Sequence, residues 1–290
     1  MLAGVAVRAA PEEQEAAMAG SAQATVIVGV DASEGSLRAV RWAAQEAARR
    51  DTSLRLFHAC VVDPAGSETL PEHVDRPLRH AAKIARTAAP GLEVEIQVRL
   101  GLAVDLLLAE SAHARLIVLG SHDLGGLRGA LVGSVALRVA AAARCPVVVF
   151  RGQADPRGPV VVGVDSSPAS EEALHFAADA AAARGVPLVV THAGHRRTPS
   201  IEPAFADQRA EDRREIEELV TGWTRKHPEL EITTRVVDDR EPARALMAVA
   251  PDAQLIVVGS RGRGPVAGGL LGSTGNDLLA HATCPVAVVH

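Results

Sequence analysis

VIVGVDAS at residues 26–33 returns as VVVGVDSS at 160–167, an offset of 134. Each copy is an apolar run closed by Gly-Val-Asp and a serine. Four or more consecutive apolar residues without alternation mark a parallel strand buried on both faces. Asp31 and Ser33, like Asp165 and Ser167, are both good N-caps for a helix that follows. Trp42 and Phe176 keep the offset, as do His58-Ala59 and His192-Ala193. LIVLGS at 116–121 returns as LIVVGS at 255–260, LVGS at 131–134 as LLGS at 270–273, and CPVVV at 145–149 as CPVAV at 284–288, all offset by 139. The second copy therefore carries five extra residues near its middle, which a surface loop or helix end absorbs most easily. RGQADPRG at 151–158 is rich in Gly, Pro and polar residues and reads as the linker.

Within the first copy, strands are expected at 25–30, 53–60, 94–98, 116–119 and 146–150, with helices at 34–50, 103–113 and 134–143. In the first helix Leu37, Val40, Ala44 and Ala47 share a face. Alternating strands and helices imply a parallel sheet with helices on both sides. The fold expected is α/β: two tandem Rossmann-like domains, each a five-stranded parallel sheet flanked by helices. The boundaries are a disordered leader over 1–24, a first domain over 25–151, a linker over 152–158 and a second domain over 159–290. Ligands of such sheets bind at the carboxyl ends of the strands, where strand order reverses.

Composition narrows the function. Aromatic residues are 2% of the chain and tyrosine is absent, which removes the stacking platforms of single-stranded nucleic-acid binders. The net charge of −5 lacks the basic field of a nucleic-acid protein. All but Lys83 and Lys226 of the 30 basic residues are arginine, a bias of codon usage rather than an arginine patch. No apolar run reaches the roughly 20 residues that span a bilayer, and the leader has no signal-peptide core, so a cytoplasmic location with no membrane partner is expected. Cys60, Cys145 and Cys284 form neither a disulfide framework nor a metal knuckle; Cys145 and Cys284 hold matching positions before proline and read as buried thiols. No catalytic residue and no metal site is assigned.

GSRGRGPVAGGLLGST at 259–274 follows a buried strand and opens a helix near Ser273. Such a loop can curl backbone N–H groups into an anion nest, and the helix start adds unpaired donors and a positive dipole end. Ser273 can cap the helix or donate to a phosphate oxygen; the plainer reading of the loop is a flexible turn. Asp31 and Asp165, at the end of the first strand of each copy, can accept bonds from ribose hydroxyls or serve as helix caps. A Walker loop is excluded because neither lysine lies near a glycine run, and the first turns, GVDAS and GVDSS, are not those of a dinucleotide fold. No G-x-S-x-G elbow is present.

Gly259, Gly262 and Gly272-Ser273 fit G-x2-G-x9-G-[ST]. With the strand-end Asp and the Cys-Pro-Val final strand, both present twice, the chain resembles the universal stress protein family over nearly everything past residue 24. The resemblance implies an adenine nucleotide alpha hydrolase-like domain that binds ATP, with Mg²⁺ as a possible companion. It implies that Asp31 and Asp165 contact the adenosine, that Ala59 and Ala193 line the adenine pocket, and that Gly259, Gly262, Gly272 and Ser273 hold phosphates. In the first copy Gly120, Gly133 and Ser134 match, but Asp123 stands where the second glycine belongs. The function implied is a nucleotide-dependent regulator in stress response or dormancy. The alternative is an adenylate-cleaving or slow ATP-hydrolysing enzyme of related fold, for which Arg261 and Arg263 could stabilise charge. The final strand of each copy, left at a sheet edge, suits pairing of the two halves and a homodimer through edge strands.

Asp123 sets a carboxylate where phosphate would approach, so the second copy should bind ATP more tightly than the first, and Asp123→Gly should strengthen the first site. Gly262→Asp should cost the second site about 2–3 kcal/mol, the scale of lost charge-assisted bonds, or roughly 30- to 150-fold in affinity. Calorimetry reads both; two equal sites untouched by Asp123→Gly would contradict the assignment.

Overall fold

The structure, a computed structural model, describes residues 25–60, 71–121, 133–152, 155–165, 167–194, 203–261 and 271–290. The chain divides into two compact units, Met1–Phe150 and Arg151–His290. The 1–24 leader, His122, Asp123, Gly262 and Arg263 lie outside the described residues.

The first unit runs β1 (Val26–Gly29), α1 (Glu34–Arg49), β2 (Leu54–Cys60), α2 (Glu72–Ala88), β3 (Val94–Leu100), α3 (Ala103–Glu110), β4 (Leu116–Gly120), α4 (Ser134–Ala142) and β5 (Val147–Phe150). Its strands lie in the order β3-β2-β1-β4-β5, all parallel. Val26 stands in register with Leu54 on one side and Leu116 on the other. The chain therefore winds outward from β1 to β3, then returns to lay β4 on the other side of β1. That reversal opens a crevice at the carboxyl ends of β1 and β4.

Valine and isoleucine fill the central strands: Val26, Val28, Leu116, Ile117 and Val118 are fully buried. Such runs belong in a sheet covered on both faces. One cover is α1, capped by Ser33, whose Oγ accepts the Ser36 N–H at 3.1 Å. Its buried stripe is Ala39, Val40, Ala43, Ala44 and Ala47, so small side chains bring helix and sheet close together. Leu37, expected on that stripe, is only half-buried.

The element the sequence reading leaves out is α2. Pro77 stands at its sixth position, where proline removes a helical hydrogen bond and reads as a break. Packing overrides that local signal, because Val74, Leu78, Ala81, Ala82 and Ala85 recur at helical spacing and are all buried.

The second unit repeats the plan with β6 (Val160–Gly163), α5 (Pro168–Arg184), β7 (Leu188–Gly194), α6 (Pro203–Lys226), β8 (Ile232–Asp238), α7 (Pro242–Val249), β9 (Leu255–Gly259), α8 (Ser273–His281) and β10 (Val286–Val289). Its order is β8-β7-β6-β9-β10, again parallel throughout. The extra length of this copy falls in the second helix, where α6 has 24 residues against 17 in α2. Both units are thus five-stranded parallel sheets of Rossmann-like winding, as the repeat implies. Among the described residues no helix is long and apolar enough to cross a membrane.

Cys145 and Cys284 are free and buried just before the last strand of each unit. Burial pushes both thiols from an ordinary value near 9 up to about 12. A thiol whose pKa is raised by folding leaves stability unchanged below pH 9. The unfolded chain ionises first above that point, so stability falls as pH climbs from 9 towards 12. Absence of tyrosine and the presence of only two lysines leave few other groups titrating there. The denaturation free energy should drop in that window by up to about 1.4 kcal/mol per pH unit for each thiol, and a Cys145→Ala/Cys284→Ala variant should show a visibly flatter profile.

Candidate functional site

At the carboxyl end of β1 the chain turns on Asp31, an exposed residue. Asp31 Oδ1 accepts the Ser33 N–H at 3.0 Å and the Ser33 hydroxyl at 2.6 Å. These bonds close an Asx turn, within which Ala32 takes a left-handed φ of 66°. The helix cap is therefore Ser33, and Asp31 orients the cap instead of being it. The same turn recurs in the second unit. Asp165 Oδ1 accepts the Ser167 hydroxyl at 2.6 Å and N–H at 3.2 Å, and also the Ser170 hydroxyl at 2.6 Å. One carboxylate oxygen thus fixes the rotamer of each aspartate, which holds the acid group at the rim of the crevice.

Next to it, β2 ends on His58-Ala59. Nδ1 of His58 lies 2.7 Å from the Val30 carbonyl oxygen, and Nδ1 of His192 lies 2.8 Å from that of Val164. With Nδ1–H donating, each imidazole bolts the end of the second strand to the turn after the first. Repetition of the His-Ala pair signals this bolt in the sequence, but its partner is visible only in the fold.

β4 ends at Gly120, where the start of α1 crosses. A β-carbon on Gly120 would sit 2.6 Å from the Gly35 carbonyl carbon and the Ser36 nitrogen, both backbone atoms. Gly259 is in the same position against Ala169, with 2.9 Å to its Cβ and carbonyl oxygen. The first glycine of the signature is therefore demanded by the approach of helix to strand, whatever else it does. Gly272 differs: among the described residues its added β-carbon would meet only the Ser260 carbonyl oxygen, at 3.8 Å, and its φ of −58° suits any residue. Gly272 is also the N-cap of α8, as Gly133 is of α4, and neither has a side chain to satisfy the first helical N–H groups. Ser134 and Ser273 are the first residues inside their helices, so Ser273 does not cap.

In the first unit these pieces enclose a cavity of about 550 Å³. Asp31, Ala59, Gly120, Gly133 and Ser134 all line it. The structure thus brings together every first-copy position nominated from the sequence. It adds Phe57, Ala103, Leu107, Leu119, Val135 and Ala136, which the motifs do not mark. Phe57 could have been found from strand periodicity, being two residues before Ala59 and so on the same side of β2. Leu107 and Ala103 come from α3, whose approach no local signal announces. In the second unit Asp165, Ala193, Gly259, Gly272 and Ser273 occupy the equivalent ends of β6, β7 and β9 and the start of α8. Arg261 is exposed. Among the described residues no cluster of three or more His, Cys, Asp or Glu is placed to hold a metal.

A profile of the universal stress protein family matches residues 24–151 and again 156–290. A universal stress protein of Mycolicibacterium smegmatis is 38% identical over 91% of this chain and 96% of its own. One from Mycobacterium tuberculosis (strain H37Rv) is 36% identical at the same coverage. Among solved structures, a universal stress protein from Archaeoglobus fulgidus has a TM-score of 0.66 at 21% identity, covering 91% of this chain and 97% of its own, a likeness of fold. With a profile match on each copy and relatives aligned almost end to end, the chain belongs to the universal stress protein family and carries two tandem domains of it.

Proposed function

We propose that this chain is a nucleotide-dependent regulator that holds ATP, which Mg²⁺ could accompany, at the carboxyl ends of its strands. Its output is occupancy, read by other components of a stress or dormancy response in the cytoplasm. The observation that carries this reading is the first-unit cavity. Five residues nominated from three separate stretches of sequence line one space of about 550 Å³, within the range of small-molecule and cofactor sites.

The chemistry around that space is graded in the way a nucleotide is. Ala59, Phe57 and Leu107 supply an apolar floor suited to a base. The Asp31 carboxylate, oriented by Ser33, stands where ribose hydroxyls could donate to it. Gly133 and Ser134 offer the uncapped start of α4, whose N–H groups and dipole favour phosphate. A purely structural module would have no need for this sequence of environments along one crevice. In the second unit the matching residues and the additional Gly262 make the stronger phosphate site in this reading. In this reading the chain also pairs with a second copy through edge strands, whose open backbone groups favour such pairing.

Two glycines of one signature separate fold from binding. Gly259→Ala forces a methyl against Ala169 and should lower stability by about 1–3 kcal/mol, the range of overpacked sites. Gly272→Ala makes only an ordinary van der Waals contact among the described residues, should leave the thermal melt nearly unchanged, and should weaken ATP at the second site roughly tenfold or more while sparing adenosine. Asp165→Ala should weaken both ligands. Titration calorimetry showing no ATP binding by the parent chain would sink the reading; an unaltered ATP affinity in Gly272→Ala would remove the phosphate contact from it. Light scattering should give twice the chain mass at micromolar concentration, and a monomer mass throughout would exclude the pairing.

A further inference from the structure

Thr191, on β7, is 1% exposed, and its Oγ1 is buried without a hydrogen-bond partner among the described residues. Sealed hydroxyls are almost always satisfied, because an unmade bond costs folding free energy that water would otherwise have supplied. In the first unit the equivalent position is Phe57. Thr191 pairs with Gly163 across β7 and β6 as Phe57 pairs with Gly29 across β2 and β1. The carbonyls of Thr191 and Phe57 accept the N–H groups of Val164 and Val30, both at 2.9 Å. The two backbones are therefore in the same place, and α7 packs on β7 as α3 packs on β2.

Phe57 is a wall of the first cavity although only 2% of it is exposed, so burial is how the floor of that crevice is made. Thr191 and Ala193 lie on one side of β7 as Phe57 and Ala59 lie on one side of β2. The offset of 139 extends the comparison, since Val135 at the start of α4 becomes Thr274 in α8. A hydroxyl thus replaces an apolar group twice among the positions that line the first cavity, and once it is left unpaired.

We propose that Thr191 is a specificity-determining residue of the second nucleotide pocket. Its hydroxyl hydrogen-bonds a ring nitrogen or exocyclic group of the bound base, a contact that Phe57 withholds in the first pocket. The first pocket holds a base by apolar contact alone, whereas the second reads the edge of the base. This rests on the nucleotide reading above.

The test uses the full chain with Ala59→Phe, which fills the first cavity so that calorimetry with adenosine and ATP reports the second. Thr191→Val keeps the shape and removes the hydroxyl. It should weaken adenosine and ATP by the same factor, about 5- to 10-fold, the scale of one net hydrogen bond. Thr191→Ser should retain parental affinity. The free Thr191→Val protein should melt at or above the parental temperature, because the hydroxyl has no partner to lose. Parental affinity in Thr191→Val would overturn the inference, and so would a lower melting temperature of the free variant, which would reveal a partner inside the fold. Failure of the Ala59→Phe parent to bind either ligand would overturn the nucleotide reading and this inference together, whereas binding that ignores Thr191 overturns this inference alone.

Discussion

The carboxyl end of each sheet depends on two backbones meeting with no side chain between them. In the first unit β4 ends on Gly120 directly beneath Gly35 and Ser36 of α1, and a methyl at either glycine would overlap backbone atoms of the other segment. That contact lets the start of α1 lean over the strand-order reversal instead of standing off from it. The Asp31 turn, which leads into α1, is carried to the rim of the crevice by the same approach. The second unit solves the problem less tightly, with Ala169 in place of Gly35 against Gly259. One glycine is enough there, which shows that the strand-end glycine is the indispensable member of the pair.

From that contact the polar pieces follow in order. Ser33 caps α1 and orients Asp31; His58 ties β2 to the Val30 carbonyl oxygen; Gly133 begins α4 without a capping side chain. Each makes or leaves open one backbone hydrogen-bond requirement, and the cavity is the space these choices leave. A helix start whose N–H groups lack a capping side chain next to a carboxylate is costly for a protein that never meets a ligand, since an anion or water must supply the missing acceptors. The two glycines of the loop that begin and end at described positions therefore have different reasons to exist. Gly120 and Gly259 serve packing, while nothing among the described residues requires the absence of a side chain at Gly272.

Most of this was legible in the sequence because the signals were local or repeated. Continuous apolar runs named the buried strands, and Asp31 and Ser33 marked the start of the helix that follows. Exact recurrence of LIVxGS and the Cys-Pro-Val strand made two domains unavoidable. What stayed hidden was decided by tertiary contact. Pro77 disguised α2, whose stability comes from five buried side chains and not from propensity. Leu107 and Ala103 reached the cavity only because α3 folds back over β2, and the bond from His58 to Val30 spans 28 residues. The glycines of the signature look alike in sequence and differ in their surroundings. Spacing alone cannot tell a glycine that clears a helix from one that clears a ligand, whereas the space around its missing β-carbon can.

The duplication acts as an internal control on which residues answer to the backbone and which to the contents of the crevice. Gly29 and Gly163, Asp31 and Asp165, Ser33 and Ser167, Ser36 and Ser170, and His58 and His192 are the same in both copies, and every one of them sits in a turn, a cap or an interstrand tie. Five differences between the copies fall at positions lining the first-unit cavity: Phe57 against Thr191, Ala103 against Pro242, Leu119 against Val258, Val135 against Thr274 and Ala136 against Gly275. Residues that face only neighbouring protein would be expected to drift in size while staying apolar, because packing constrains volume and hydrophobicity together. Here the change from Phe57 to Thr191 places a hydroxyl at a position that is almost fully buried in both copies, which packing alone disfavours. Under the nucleotide reading proposed above, a change that weakens a core at a position where the ligand would lie is a change in what that ligand meets, so the two halves would share a frame and differ in what they recognise.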